Sequence, residues 1–202
     1  MMQKNKSALI LVDLQNDFCF GGALAVPEGD DVIPIANKLM DIFDIVIATK
    51  DWHPKNHVSF AEVYQKKPGE VIVFNGISQI LWPTHCVQNT EGSAFVKGWP
   101  IDKVDHIIYK GTDIAIDSYS AFFDNGRLKA TNLHPLLQKN GISTLYVAGV
   151  ATEYCVKYSV LDAIQLGYSV RVITDGCKAV NLSPEDESEA LLIMKDAGAF
   201  LE

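Results

Sequence analysis

The stretch STLYVAGVATEYCV, Ser143 to Val156, decides the fold. Its first part, Ser143 to Ala148, is β-branched, aromatic and apolar, the composition of a buried parallel strand. Beyond it, Val156, Val160 and Ile164 recur every fourth residue with Leu161 alongside, marking the inward face of an amphipathic helix that Gly167 ends. Thr152 reads as the N-cap, which places Cys155 in the first helical turn. Unpaired N–H groups and the positive end of the helix dipole favour a thiolate there. Such a thiol is a candidate nucleophile at the carboxyl edge of a sheet, with backbone donors nearby for an oxyanion. The plainer reading is packing, because a free cysteine usually behaves as a small apolar side chain.

Working outward, the same strand-then-helix alternation recurs. Ala8 to Leu14 is a buried strand carrying Asp13 at its end, followed by Asp17, Phe18, Cys19, Phe20 and the Gly21-Gly22 loop. Asp30 to Phe43 predicts a helix with Val32, Ile35, Ala36, Leu39 and Phe43 inward. Ile45 to Lys50 and Ile107 to Lys110 are further strands, and Val71 to Phe74 is either a short strand or core filler. Thr131 to Asn140 predicts a helix closed by Gly141, and Tyr168 to Thr174 a strand. Ser183-Pro184 opens a last helix that runs through Lys195. This order predicts an α/β fold: a doubly wound, mostly parallel sheet with helices on both faces, in three layers. No linker divides the chain, so a single domain over residues 1–202 is expected.

A chain of 202 residues with 48% hydrophobic content can build a full core. Its formal net charge of −8 speaks against nucleic acid or an anionic membrane as partner. No apolar run approaches the ~20 residues of a membrane span. The polar N-terminus MMQKNKS leads into a strand, from which no secretory leader is expected. Cys19, Cys86, Cys155 and Cys177 form no CxxC pair, in keeping with a reducing, cytoplasmic location. Nothing in the sequence decides between a monomer and a homo-oligomer.

Chemistry-bearing residues gather at strand ends. Asp13, Asp51, Lys110 and Cys155 each stand at or just beyond a strand's carboxyl end, and parallel strands deliver those ends to one rim. Each has an ordinary reading: a helix cap for Asp13, a solvated charge for Lys110. Sharing one edge argues for function. Asp51 and His53, two apart on extended backbone, point to one side and can hold a cation together. His85 in Trp82-Pro83-Thr84-His85-Cys86 offers a third ligand, and such a set suits Zn, Mn or Fe with positions left open. Chance is the alternative, since Asp-x-His is a short pattern. His57 is either a further ligand or a loop residue held by a backbone carbonyl. Tyr119 and Phe122 are candidates for a pocket wall, or else ordinary core.

With LVDLQNDF (Leu11 to Phe18), GALAVPEGDDVIP, DWHPKNHVSF (Asp51 to Phe60), WPTHCV (Trp82 to Val87), KGTD, DSYSAFFDN and GVATEYCV in order, the chain resembles the nicotinamidase/pyrazinamidase branch of the isochorismatase-like cysteine hydrolases. The resemblance runs nearly end to end. It implies a catalytic triad of Asp13, Lys110 and Cys155, and an oxyanion hole from the N–H groups of Ala151 and Cys155. It implies a metal, zinc first, on Asp51, His53 and His85, with a cis peptide at Val150-Ala151. Phe18, Trp82 and Tyr119 match the walls around a pyridine ring. The implied reaction is hydrolysis of nicotinamide, and of pyrazinamide, through a cysteine thioester in NAD salvage. Relatives acting on ureido or carbamoyl groups lack the metal ligands. A redox-sensing thiol, or a metal-binding fold without catalysis, would not require Asp13, Lys110 and Cys155 together.

Overall fold

The computed structural model describes residues 6–202, so the expectation drawn from the polar Met1–Asn5 lies outside it. In chain order the strands are β1 (Lys6–Val12), β2 (Val46–Asp51), β3 (Val71–Phe74), β4 (Ile77–Ile80), β5 (His106–Lys110), β6 (Ile142–Val150), β7 (Ser169–Lys178) and β8 (Phe200–Leu201). The α-helices are α1 (Val32–Met40), α2 (Leu133–Lys139), α3 (Lys157–Gln165) and α4 (Asp186–Asp196). Six strands make one sheet in the order β5-β2-β1-β6-β7-β8, every neighbouring pair parallel. β3 and β4 form a separate antiparallel hairpin. Among the described residues no helix is long and apolar enough to cross a membrane.

The sheet's two faces follow from period-two alternation along β1. Ala8, Ile10 and Val12 pack with Leu133 and Leu137 of α2, Val160 and Ala163 of α3, and Met194 of α4. Leu9 and Leu11 turn the other way, toward Val32, Ala36 and Met40 of α1. Both faces are buried, as a parallel sheet between helix layers requires. Phe122 sits in the first of these cores at 1% exposure, so it is packing rather than pocket wall.

The nucleophile segment departs from expectation in one respect. Thr152 does not cap a helix: residues Thr152–Val156 form a π-turn entered from Ala151, with no side-chain cap, and α3 follows it. The Thr152 hydroxyl instead donates to Glu187 Oε1 at 3.3 Å. The wider turn replaces the first α-turn, as π-turns often do at functional sites. Upstream, Gly149 pairs with Val12 at φ +136°, and a Cβ there would lie 2.2 Å from the Val12 carbonyl oxygen. Only glycine lets β6 approach β1 that closely. The Val150-Ala151 peptide is cis.

Candidate active site

Register brings the charged residues together. Asp51 and Lys110, the last residues of β2 and β5, are direct Cα partners. Asp13 lies one residue past β1 in a left-handed conformation (φ +55°), which a non-glycine residue keeps only when its surroundings hold it. Thr49 does so twice: its hydroxyl accepts the Asp13 N–H at 3.1 Å and donates to Asp13 Oδ1 at 2.6 Å. The fully buried Lys110 Nζ stands 2.8 Å from Asp13 Oδ2 and 3.1 Å from Asp51 Oδ1. It also lies 3.2 Å from Cys155 Sγ and donates to the Ser118 carbonyl at 3.3 Å. Thr49 occupies Oδ1 and the Lys110 ion pair occupies Oδ2, and a carboxylate oxygen with one such partner keeps a lone pair for a proton.

Electrostatics here correct one expectation. Burial pushes the Cys155 thiol well above its ordinary range; Lys110 opposes this and Asp13 reinforces it. The resting sulfur is therefore a thiol, because desolvation outweighs the dipole and the lysine that favoured a thiolate. Burial also raises Asp13, against the pull of Lys110. For Lys110 the order reverses: burial disfavours its charge, but Asp13 and then Asp51 raise its pKa well above normal. A permanent cation thus sits between two carboxylates and a neutral sulfur.

Asp51, His53 and His85 present ligand atoms all within 4.8 Å of one another. His53 Nε2 is 2.9 Å and His85 Nε2 3.4 Å from Asp51 Oδ2. The other ring nitrogens face carbonyl oxygens, His53 Nδ1 at 3.0 Å from Gly111 and His85 Nδ1 at 2.7 Å from Pro83. A carbonyl only accepts, so each Nδ1 carries a hydrogen and each Nε2 is turned toward the Asp51 carboxylate. A divalent ion would be held by these converging atoms, and second-layer carbonyls of this kind orient metal-ligating histidines. The donor set fits a divalent ion. Asp51 itself is held well below the usual carboxylate range: burial opposes this, and His53 and Lys110 prevail.

His57 is not part of that convergence. Its ring stacks on His53 with centroids 4.1 Å apart. Its Nδ1 lies 2.7 Å from Ser59 Oγ and its Nε2 3.3 Å from the Ile116 carbonyl. Burial, with His53 beside it, lowers its pKa to about 4. With His53 and Asp117 it forms a second buried group whose ligand atoms lie within 4.8 Å of one another.

Above the sulfur opens a small cavity, mostly apolar in its lining. Phe18, Trp82 and Tyr119 all line it, with Asp51, His85, Ala151 and Cys155. Phe18 meets His85 edge-on at 5.7 Å, and the Trp82 Nε1–H donates to the Tyr119 hydroxyl at 3.2 Å. Leu24, Asp117, Tyr154 and Val180 complete the lining; none stood out in the sequence as a site residue.

Several supports also escaped the sequence reading. The Gln15 amide clasps the Asp51 backbone, donating to its carbonyl at 2.8 Å and accepting its N–H at 2.7 Å. Asp17 accepts the Cys86 N–H at 2.7 Å and so fixes the loop bearing His85. Both lie inside LVDLQNDF, the one available signal. At Gly111 (φ +61°) a Cβ would come 2.5 Å from His53 Cε1 and 3.0 Å from Asp51 Oδ1. If Asp51 and His53 hold a divalent ion, Gly111→Ala is expected to weaken its binding by about tenfold or more, as a displaced ligand does. Competitive titration with a chromophoric chelator reads this directly, and an unchanged affinity would show that the contact is slack.

An acid, a lysine and a cysteine thiol converging at the carboxyl edge of a doubly wound sheet, beside a cation site, define a cysteine hydrolase of the α/β class. Residues 7–201 match the family described as Isochorismatase domain, and the chain belongs to that family. Within it the likeness is to nicotinamidases. The nicotinamidase of Escherichia coli (strain K12) is 50% identical over 198 residues, covering 96% of this chain and 93% of the relative. A solved nicotinamidase/pyrazinamidase of Acinetobacter baumanii superposes with TM-score 0.94 at 42% identity, over 98% of this chain and 96% of that one. A pyrazinamidase of Pyrococcus horikoshii in complex with zinc gives TM-score 0.80 at 40% identity, over 98% of both chains.

Proposed function

We propose that the protein hydrolyses nicotinamide to nicotinate and ammonia, a step that returns the pyridine ring to NAD salvage, and accepts pyrazinamide as well. One observation carries the reading. Cys155 Sγ lies 3.2 Å from Lys110 Nζ, which is 2.8 Å from Asp13, and the sulfur faces a cavity walled by Phe18, Trp82 and Tyr119. These three side chains sandwich the pyridine ring and aim its carboxamide carbon at the sulfur.

Asp13, through the open lone pair of Oδ2, takes the thiol proton, and Lys110 offsets the charge that appears on sulfur. The thiolate adds to the carboxamide carbon. The N–H groups of Ala151 and Cys155 receive the oxyanion. Asp13 returns its proton to the nitrogen, ammonia departs, and a thioester joins the acyl group to Cys155. Asp13 then deprotonates a water that attacks the thioester, releasing nicotinate and restoring the thiol. Asp51, His53 and His85 would hold a divalent ion, zinc first and manganese or iron by the same donors, which supplies a Lewis acid for the ring nitrogen. The zinc complex of the Pyrococcus horikoshii relative supports that choice.

The deciding experiment is ammonia release from nicotinamide before and after chelation, with zinc added back. Chelation is expected to lower kcat/KM by at least about a hundredfold and zinc to restore it. Release that never depends on metal would remove the cation from the scheme. The pH profile gives a second check. The base must be ionised, and burial raises Asp13 above its ordinary value. Falling pH therefore protonates Asp13 earlier than an ordinary carboxylate. The acid limb of kcat/KM should lie above the usual carboxylate range, and a limb within that range would contradict the assignment.

A further inference from the structure

Glu153 stands two residues before the nucleophile, inside the π-turn, and the scheme above gives it no part. A carboxylate is costly to bury, yet Glu153 is 3% exposed. Its Oε1 accepts the Asn181 N–H at 2.8 Å, and the Val180 N–H also favours its charged form. Its Oε2 has no hydrogen-bond partner among the described residues. Burial raises its pKa and Asp186 adds to the effect, while the backbone N–H groups it meets oppose them.

Those amides belong to the loop between β7 and α4, where Val180 lines the substrate cavity with Cys155. That loop depends on its neighbours. Asn181 is left-handed at φ +53°, a conformation that a side-chain-bearing residue holds when the surroundings fix it. Two groups fix it: the Glu153 carboxylate on its N–H, and the Glu187 N–H on its side-chain oxygen at 3.1 Å. Thr152, on the same π-turn, bonds Glu187 in turn. The nucleophile turn, the cavity-wall loop and the start of α4 are thus tied in one knot, with the buried Glu153 carboxylate inside it.

We propose, resting on the nicotinamidase reading, that Glu153 is a positioning residue: its carboxylate clamps the Val180–Asn181 loop to the nucleophile turn and fixes a cavity wall relative to the Cys155 sulfur. Loss of the clamp lets Val180 withdraw, so the ring is held less firmly while the Asp13, Lys110 and Cys155 constellation stays intact.

The test combines steady-state kinetics on nicotinamide with amide hydrogen exchange of the 178–183 segment, in Glu153→Ala, Glu153→Gln, Val180→Ala and the double variant Glu153→Ala with Val180→Ala. Glu153→Ala is expected to raise KM about tenfold with a smaller change in kcat, because the lost contact is a ground-state one. Exchange of the segment should quicken by about tenfold or more as its anchoring bond disappears. Glu153→Gln keeps an oxygen for the Asn181 N–H and should restore both readouts to within about threefold of the parent. On the Val180→Ala background Glu153→Ala should add little, the signature of two residues acting through one wall. Parent-like KM and exchange in Glu153→Ala would overturn the clamp. So would a Glu153→Gln variant as impaired as the alanine one. Should the alanine variant not fold, Glu153→Asp, its carboxylate drawn back by one methylene, decides in its place: raised KM with faster exchange supports the clamp, and parent values of both overturn it. A parent that releases no ammonia from nicotinamide would sink the functional reading, and exchange alone would then decide the clamp.

Discussion

Cys155→Ala is expected to reduce nicotinamide turnover by roughly ten-thousandfold or more, the scale seen when a nucleophile that works as part of a unit is removed. The loss should fall on chemistry and leave binding measurable. The substituted side chain keeps its β-carbon, and Phe18, Trp82 and Tyr119, with the residues that would hold a cation, lie outside the π-turn. No other thiol can substitute: Cys19, Cys86 and Cys177 do not line the cavity, and Cys86 belongs to the core on the α1 side of the sheet. Asp13 would still be present with its lone pair, so the variant asks whether a water activated by that carboxylate can attack the amide directly. Calorimetric binding of nicotinamide beside an ammonia assay separates the two routes. Retention of more than about a hundredth of the parent rate would mean that the acyl group need not pass through sulfur.

The fold was legible because its strands announce themselves. ALILVDL, IVIATK and STLYVAGV are apolar, β-branched runs closed by charge or glycine, and a parallel sheet buried on both faces needs such runs. The strand at Phe200–Leu201 was not legible, since two residues carry no period. Nor was the partner of Val71–Phe74: Ile77–Ile80 alternates too briefly, with a serine and a glutamine between its ends. Site residues at strand ends could be read because parallel topology sends all those ends to one rim. What holds them could not. Thr49 supports Asp13, and Gln15 clasps Asp51, each across 36 residues, and Asp17 reaches Cys86 across 69. These are ordinary polar side chains until the chain folds. The state of the sulfur was misread for a related reason. A helix start and a lysine are visible in sequence, whereas the desolvation that outweighs them is a property of the packed interior.

Asp13→Asn separates two roles that geometry leaves entangled. The carboxylate is both the proposed proton carrier and a negative charge beside the sulfur. As a proton carrier it is indispensable, because an amide can neither take the thiol proton nor return it to nitrogen. Turnover should therefore fall by roughly three or more powers of ten. As a charge it acts in the opposite sense. Asp13 raises the Cys155 pKa, both through its field and by accepting from the thiol, while Lys110 lowers it. Removing the carboxylate leaves the lysine's pull unopposed on that side, so the thiol should ionise at lower pH. Alkylation of Cys155 by iodoacetamide, which follows the thiolate fraction, should accordingly be faster in Asp13→Asn than in the parent. A dead enzyme with a more reactive sulfur is the expected pair of results. If instead alkylation slows in step with turnover, Asp13 acts by holding the thiolate rather than by carrying the proton, and the order of steps proposed for the thioester's formation is wrong.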